Sequence, residues 1–276
     1  MLKTLALPAA LTPSWGHLPP ISAFAMVVAV ACCAPAQAQM TSADPQEWKV
    51  KLTMGAERGT EKFFKGVLLR SRTDPWFGVD ISRGRWLLSS INGLGYLVQD
   101  SEAFSLGLSA NYMLGRYESN EPRYRGMGKV AATLGAYAFF EWRPIKDAVT
   151  VYGNVLRSSK TQNGSLANLG ATVGFPLVGQ LAGFVDYNLN WANGSYTQTF
   201  YGVNASQSAT SGYGVYSAKG GMLNSTPTVG LYYPVNKQWS VLGYAGKSRL
   251  SGAAGDSPLV QNRSQSVGAL LAVYKF

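Results

Sequence analysis

The chain has 276 residues, of which 46% are hydrophobic and only 14% are charged, with 31 glycines and 15 tyrosines. Soluble domains carry about 25% charged residues, so this composition argues against an ordinary soluble protein and suits a chain whose apolar side chains face lipid in alternation. The formal net charge of +10 is scattered along the sequence. Because nucleic-acid binding needs a clustered basic face, we expect no nucleic-acid partner.

Residues 1–38 are predicted to be a cleaved secretory signal peptide. The apolar run ISAFAMVVAVACC at 21–33 is shorter than the ~20 residues that span a bilayer, and the small-x-small pattern at 36–38 provides a cleavage site. A membrane anchor and a lipoprotein attached at Cys32 or Cys33 are the alternatives. Residues 39–276 then form the mature protein.

Cleavage would also remove chemistry from the chain. Both cysteines and the single histidine, His17, lie in the predicted signal peptide. The mature protein would therefore have no thiolate nucleophile, no histidine-based triad and no ordinary zinc site. We expect neither an enzyme nor a cofactor.

Short segments with a period of two residues fill the rest of the chain. In LAGFVDYNLNW, Val185 and Tyr187 fall on one face, whereas Asp186, Asn188 and Asn190 fall on the other. The pattern predicts an all-β protein, a single closed antiparallel transmembrane β-barrel of about 12 strands. The predicted strands cover 48–57, 64–72, 76–82, 86–98, 102–115, 129–143, 148–159, 165–176, 181–193, 220–233, 238–249 and 264–276.

The predicted links between strands alternate in length. Every second link is short, at 73–75, 99–101, 144–147, 177–180 and 234–237, whereas the longest fall between them, at 116–128, 194–219 and 250–263. Outer-membrane barrels combine short periplasmic turns with longer outer loops, so this alternation supports the barrel and places both termini in the periplasm. A soluble β-sandwich is the alternative.

Several polar side chains are predicted to point into the barrel. Period-two alternation turns Asp80 and Asp186 inward, and Arg70 and Arg72 share one face. Because buried charges need partners, we expect a polar network in the lumen rather than an acid–base site. The candidate members are Arg70, Arg72, Asp80, Asp186, Asn188 and Asn190.

The chain ends on SVGALLAVYKF, with Tyr274 and the terminal Phe276 on the outward face of the last predicted strand. This strand is expected to close the barrel against the first one. A terminal Phe in this setting resembles the signal that the bacterial barrel-assembly machinery reads.

At the outer rim, we expect lysines and arginines such as Lys160 and Lys219 to meet lipopolysaccharide phosphates.

Two tracts in the C-terminal half carry motifs that go beyond strand alternation. The first contains FYGV at 200–203, Gln207 and SG at 211–212. The second contains GY at 243–244, RL at 249–250 and DSP at 256–258. Together they resemble the MipA/OmpV family of outer-membrane proteins. The resemblance implies an outer-membrane barrel of a Gram-negative bacterium, and it marks Phe200, Tyr201, Gln207 and Asp256 as candidate loop contacts.

The resemblance also implies a non-enzymatic role. Members of the family are described as scaffolds for a murein synthase and a murein-degrading lytic transglycosylase, or as surface interaction proteins. A small-solute diffusion channel and an enzyme that works through carboxylates are the alternatives. Loop 194–219 either stays at the surface or enters the lumen, and the sequence leaves both arrangements open.

Overall fold

A computed structural model describes residues 47–59, 72–120 and 122–276. Twelve antiparallel strands pair with their sequence neighbours, and β1 pairs with β12 to close a barrel. The strands are β1 (Trp48–Gly59), β2 (Arg72–Arg83), β3 (Trp86–Ser89), β4 (Gly93–Asp100), β5 (Phe104–Met113), β6 (Thr133–Ile145), β7 (Val149–Ser158), β8 (Ser165–Val178), β9 (Leu181–Ala192), β10 (Gly221–Pro234), β11 (Trp239–Leu250) and β12 (Ser264–Lys275).

Alternation along each strand separates an outer face from a lumen face. On β9, Val185 is 47% exposed, whereas its neighbours Phe184 and Asp186 are 2% and 1% exposed. The outward side chains are mostly aliphatic or aromatic. Trp48, Trp142 and Trp239 lie exposed at the strand ends near the chain termini, which is the position of an interfacial aromatic girdle.

The two ends of the barrel differ in their connections. One end, the short-turn end, carries both described termini and tight turns such as that between β8 and β9, where Gly179 adopts a positive φ of 58°. The opposite end, the long-loop end, carries loop A (114–120 and 122–132), loop B (193–220) and loop C (251–263). Loop B contains helices α1 (Gly194–Tyr201) and α2 (Ala205–Ser211), and loop C contains α3 (Gly252–Gly255). No helix in the described ranges is long and apolar enough to cross a membrane.

The predicted fold class and strand count are confirmed, but two strand assignments differ. The predicted strand 86–98 is two strands, because Ser89 Oγ accepts hydrogen bonds from the amides of Ile91 and Asn92 at 3.1 Å and caps a turn. The predicted turn at 73–75 is wrong. These residues belong to β2 and pair with β1, so tertiary pairing overrides the Asp-Pro turn signal. Residues 64–71 of the predicted second strand lie outside the described residues.

Candidate functional site

A polar network built around Asp186 occupies the middle of the lumen wall. Asp186 Oδ2 accepts hydrogen bonds from the hydroxyls of Tyr152 on β7 and Thr172 on β8, both at 2.8 Å. Asn188 Nδ2 donates to the Tyr152 hydroxyl at 3.3 Å. Thr228 lies opposite Asp186 on β10, yet Thr228 Oγ1 and Asp186 Oδ1 have no hydrogen-bond partner among the described residues. One carboxylate therefore links three neighbouring strands.

Four asparagines extend this network toward the long-loop end. Asn154, Asn168, Asn190 and Asn224 stand directly opposite one another on β7, β8, β9 and β10. Asn168 Nδ2 donates to Asn190 Oδ1 at 2.9 Å, and Asn190 Nδ2 donates to Asn224 Oδ1 at 2.7 Å. The lumen face of β7–β10 is thus uncharged apart from Asp186, and its amides satisfy one another.

The candidate lumen residues do not form a single cluster. Asn188 and Asn190 lie beside Asp186, and Asn190 also donates to Asn188 Oδ1 at 2.7 Å. Asp80 lies apart from them, near the short-turn end, where Lys51 Nζ is 2.8 Å from its carboxylate and Ser89 Oγ donates to it at 2.5 Å. Arg72 begins β2, but its side chain and the whole of Arg70 lie outside the described residues.

Sequence reasoning missed the partners of Asp186 on other strands. The period-two pattern of the sequence shows that Tyr152 and Thr172 face the lumen. It does not show that they meet Asp186, because that depends on the register in which the strands pair. Gly170 completes the arrangement. A Cβ at this position would collide with the Tyr152 ring, so the glycine makes room for the phenol across the strand pair.

An apolar layer lies in the lumen above the asparagines. Strand residues and loop residues pack together there, with Tyr196 of α1 and Ala254 of α3 meeting side chains from seven strands. The strand residues of this layer are Met113, Tyr137, Leu156, Leu166, Ala192, Leu223 and Leu250. A cavity of about 50 Å³ remains between this layer and the asparagines. It has room for a few water molecules.

Loops A, B and C pack on one another and form a structure that we call the lid. Met127 of loop A, Val203 of loop B and Leu259 of loop C share an apolar cluster, and each is at most 1% exposed. Buried Arg116 donates to the carbonyl of Phe200 at 3.0 Å, which ties loop A to loop B. Burial lowers the pKa of this guanidinium below its usual value, and Tyr124 and Glu118 offset part of that effect.

The four candidate loop contacts all lie in the lid, and three of them join different loops. Phe200 stacks on Tyr196 with ring centroids 4.5 Å apart. The carbonyl of Tyr201 accepts from Ser257 Oγ at 2.6 Å, which ties loop B to loop C. Gln207 Nε2 donates to the Met127 carbonyl at 2.7 Å, and Asp256 pairs with Arg263 within loop C.

A second apolar cluster lies on the lumen face nearer the short-turn end. Phe184, Tyr232, Leu242 and Leu271 form its buried centre, and Trp76, Tyr244 and Ala269 pack against it. The polar network therefore lies between two apolar layers. In the described ranges, no group of three or more histidine, cysteine, aspartate or glutamate residues could hold a metal ion.

The chain terminus lies at the short-turn end beside an aromatic cluster. The rings of Phe276 and Tyr274 are 4.7 Å apart in an edge arrangement, and Tyr274 lies 4.8 Å from Trp239 on the adjacent strand. Phe276 itself is 74% exposed. The terminal ring is thus held at the rim of the barrel and remains accessible.

Comparison with known proteins agrees with this architecture. A family model described as "MltA-interacting protein MipA" matches residues 40–276. An outer-membrane channel of Pseudomonas putida F1 is 10% identical over 87% of this chain and 100% of its own, with a TM-score of 0.43. The NanC porin is 9% identical over 82% of this chain and 100% of its own, with a TM-score of 0.42. No curated protein matches the chain.

The structural similarities are loose, whereas the family match covers almost all of the chain beyond the predicted signal peptide. The match agrees with the closed barrel, its apolar outer face and its aromatic girdle. We conclude that the protein is a β-barrel of the outer membrane of Gram-negative bacteria and belongs to the MipA family.

Proposed function

We propose that the protein acts through protein contacts at the periplasmic side of the outer membrane, without catalysis. The proposed partners are a murein-degrading lytic transglycosylase and a murein synthase, which this barrel would hold together. The description of the family, as an MltA-interacting protein, supports this proposal. The short-turn end, which carries both described termini, is the periplasmic end in this arrangement.

The single observation that favours contact over transport is the packed lumen. Apolar layers lie on both sides of the Asp186 network, and the lid covers the long-loop end. Asp186 accepts hydrogen bonds from two hydroxyls of the wall and is 1% exposed. Because it is buried and engaged, it is better suited to joining strands than to acid–base catalysis. A barrel whose lumen holds such apolar clusters is suited to presenting its rims.

The periplasmic rim offers an ordered surface for such contacts. Arg143 makes an ion pair with Glu141 at 2.9 Å and donates to the Glu102 carbonyl at 3.2 Å. Lys146 pairs with the Glu102 carboxylate on the adjacent turn, where both side chains are exposed. These contacts link neighbouring turns at the rim, and turns that are already linked have less freedom to lose on binding a partner.

Capture from envelope extracts tests the proposal. Tagged, folded barrel should recover both a lytic transglycosylase and a murein synthase, identified by mass spectrometry. The charge reversal Lys146→Glu should weaken recovery, whereas Lys160→Glu at the opposite end is the matched control. Recovery of neither enzyme, under conditions that capture a known partner pair, would refute the scaffold.

A small-solute channel is the second candidate, because the asparagine wall is uncharged and polar. This function requires the lid and at least one apolar layer to move. Contact through the exposed outer surface of the lid is a further form of the interaction role.

A further inference from the structure

The outward face of β11 changes character along its length. Trp239, Val241 and Ala245 are exposed on this face, and the next two outward positions are the exposed Lys247 and Arg249. The apolar part lies toward the periplasmic end, and the two cations lie toward the long-loop end. Such a change is expected at the level where the hydrocarbon of the outer leaflet gives way to head groups.

The strands on either side surround these cations with hydroxyl groups. Lys247 stands opposite Ser266 on β12, and Arg249 stands between Ser264 on β12 and Ser225 on β10. Directly opposite residues of antiparallel strands have Cβ atoms about 5 Å apart. Two cations and three hydroxyls on three adjacent strands therefore form one patch, which we call the β11 patch.

Within the described part of the chain, the side chains of Lys247 and Arg249 make no ion pair or hydrogen bond. Both point away from the lumen and both are exposed. The same change occurs on β7, where outward Val155 is followed by the exposed outward Arg157. Cations on the lipid face are tolerated only near the interface, and they need anionic partners there.

We propose that the β11 patch binds the phosphate groups of lipopolysaccharide in the outer leaflet. Arginine offers a planar fork for phosphate oxygens, lysine adds a point charge, and serine hydroxyls donate to the remaining oxygens. The acyl chains of the same lipid would lie along Val241, Ala245 and Leu270, which are the apolar outward residues below the cations. The site thus matches both halves of an amphipathic anionic lipid.

Titration of the folded full-length barrel in detergent tests this site. The probes are purified lipopolysaccharide carrying its lipid A phosphates, the same lipid after phosphate removal, and inorganic phosphate. Lys247→Ala/Arg249→Ala should bind the phosphorylated lipid at least about tenfold more weakly than the unmodified protein, because charge-assisted hydrogen bonds are lost. Arg125→Ala/Lys129→Ala in loop A is the matched control and should bind normally.

Three outcomes would overturn the proposal. The first is equal binding of the phosphorylated lipid by the Lys247→Ala/Arg249→Ala variant and the unmodified protein. The second is equal binding of the phosphorylated and phosphate-free lipids by the unmodified protein. The third is displacement of the lipid by millimolar inorganic phosphate alone. The last would show a free-phosphate site instead of a lipid site. Heat-modifiable gel mobility verifies that each variant is folded. If the double variant fails to fold, the comparison of phosphorylated and phosphate-free lipid on the unmodified protein still tests the proposal. This test is independent of murein-enzyme capture.

Discussion

Asp186 joins β7, β8 and β9 through hydrogen bonds at 2.8 Å from Tyr152 and Thr172. Replacing Asp186 by Leu removes this acceptor, and the buried hydroxyls of Tyr152 and Thr172 then lose their hydrogen bonds to it. The cost of such loss is about 1–3 kcal/mol. We therefore expect Asp186→Leu to lower the free energy of unfolding of the barrel by about that amount, measured by urea titration in detergent.

Asp186→Asn is the matched variant, because both hydrogen bonds reach the same oxygen, Oδ2, and an amide oxygen in that place can still accept them. Its loss of stability should be clearly smaller than that of Asp186→Leu. Equal stability of the unmodified protein and the Leu variant would show that the network contributes nothing to the wall.

Phe276 is the other residue whose role can be isolated. Its side chain is 74% exposed, so its removal takes away little buried surface. Phe276→Ala should therefore leave the stability of the refolded barrel unchanged. If the terminal ring is read by the assembly machinery, the same variant should lower the amount of heat-modifiable protein in the outer membranes of cells. Phe77→Ala is the matched control, since Phe77 is 73% exposed on the outward face of β2. Normal assembly of the Phe276 variant would contradict the predicted signal.

Among the elements, the lid depends on contacts between loops that are distant in sequence. Arg116 donates to the carbonyls of Phe200 and Met127 at 3.0 and 3.4 Å. Hydrogen bonds from charged groups contribute about 1.5–3 kcal/mol. Arg116→Ala should therefore speed amide hydrogen exchange in loop B by about tenfold or more, while exchange in the strands stays the same.

The exposed Arg125, also in loop A, provides the control for this measurement. Arg125→Ala should leave exchange in loop B unchanged. Unchanged exchange in the Arg116 variant would show that the apolar cluster of Met127, Val203 and Leu259 holds the lid alone.

The strands were largely predictable from sequence because a barrel wall imposes local alternation. On β9, every outward and inward residue from Val185 to Asn190 follows the predicted face. Two local signals misled the strand boundaries. Asn92-Gly93 marks a turn that the continuous apolar pattern hid, with Gly93 at a φ of 74°, and Asp74-Pro75 resembles a turn yet pairs with β1.

The lid was not predictable in the same way. Its ties join Arg116 to Phe200 and Gln207 to Met127, across 84 and 80 positions of sequence. No local pattern encodes such contacts, which is why the position of loop B stayed open. The Asp186 network has the same origin: its members are individually recognisable as inward polar residues, but only register brings them together.

For the whole molecule, a closed wall and a filled interior have separate consequences. Closure satisfies the backbone in lipid, which any outer-membrane barrel requires. Filling is a separate feature, in which the apolar layers around the Asp186 network and the lid occupy space that an open barrel would leave to water. It is the filling that favours a role in contact over a role in transport.

Conductance across a planar lipid bilayer tests this central claim most directly. The protein is inserted after its fold has been verified by heat-modifiable gel mobility, and an open porin recorded in the same bilayers serves as the positive control. The packed lumen predicts no stable conductance steps above the bare bilayer. Reproducible steps from the folded, unmodified protein would contradict it.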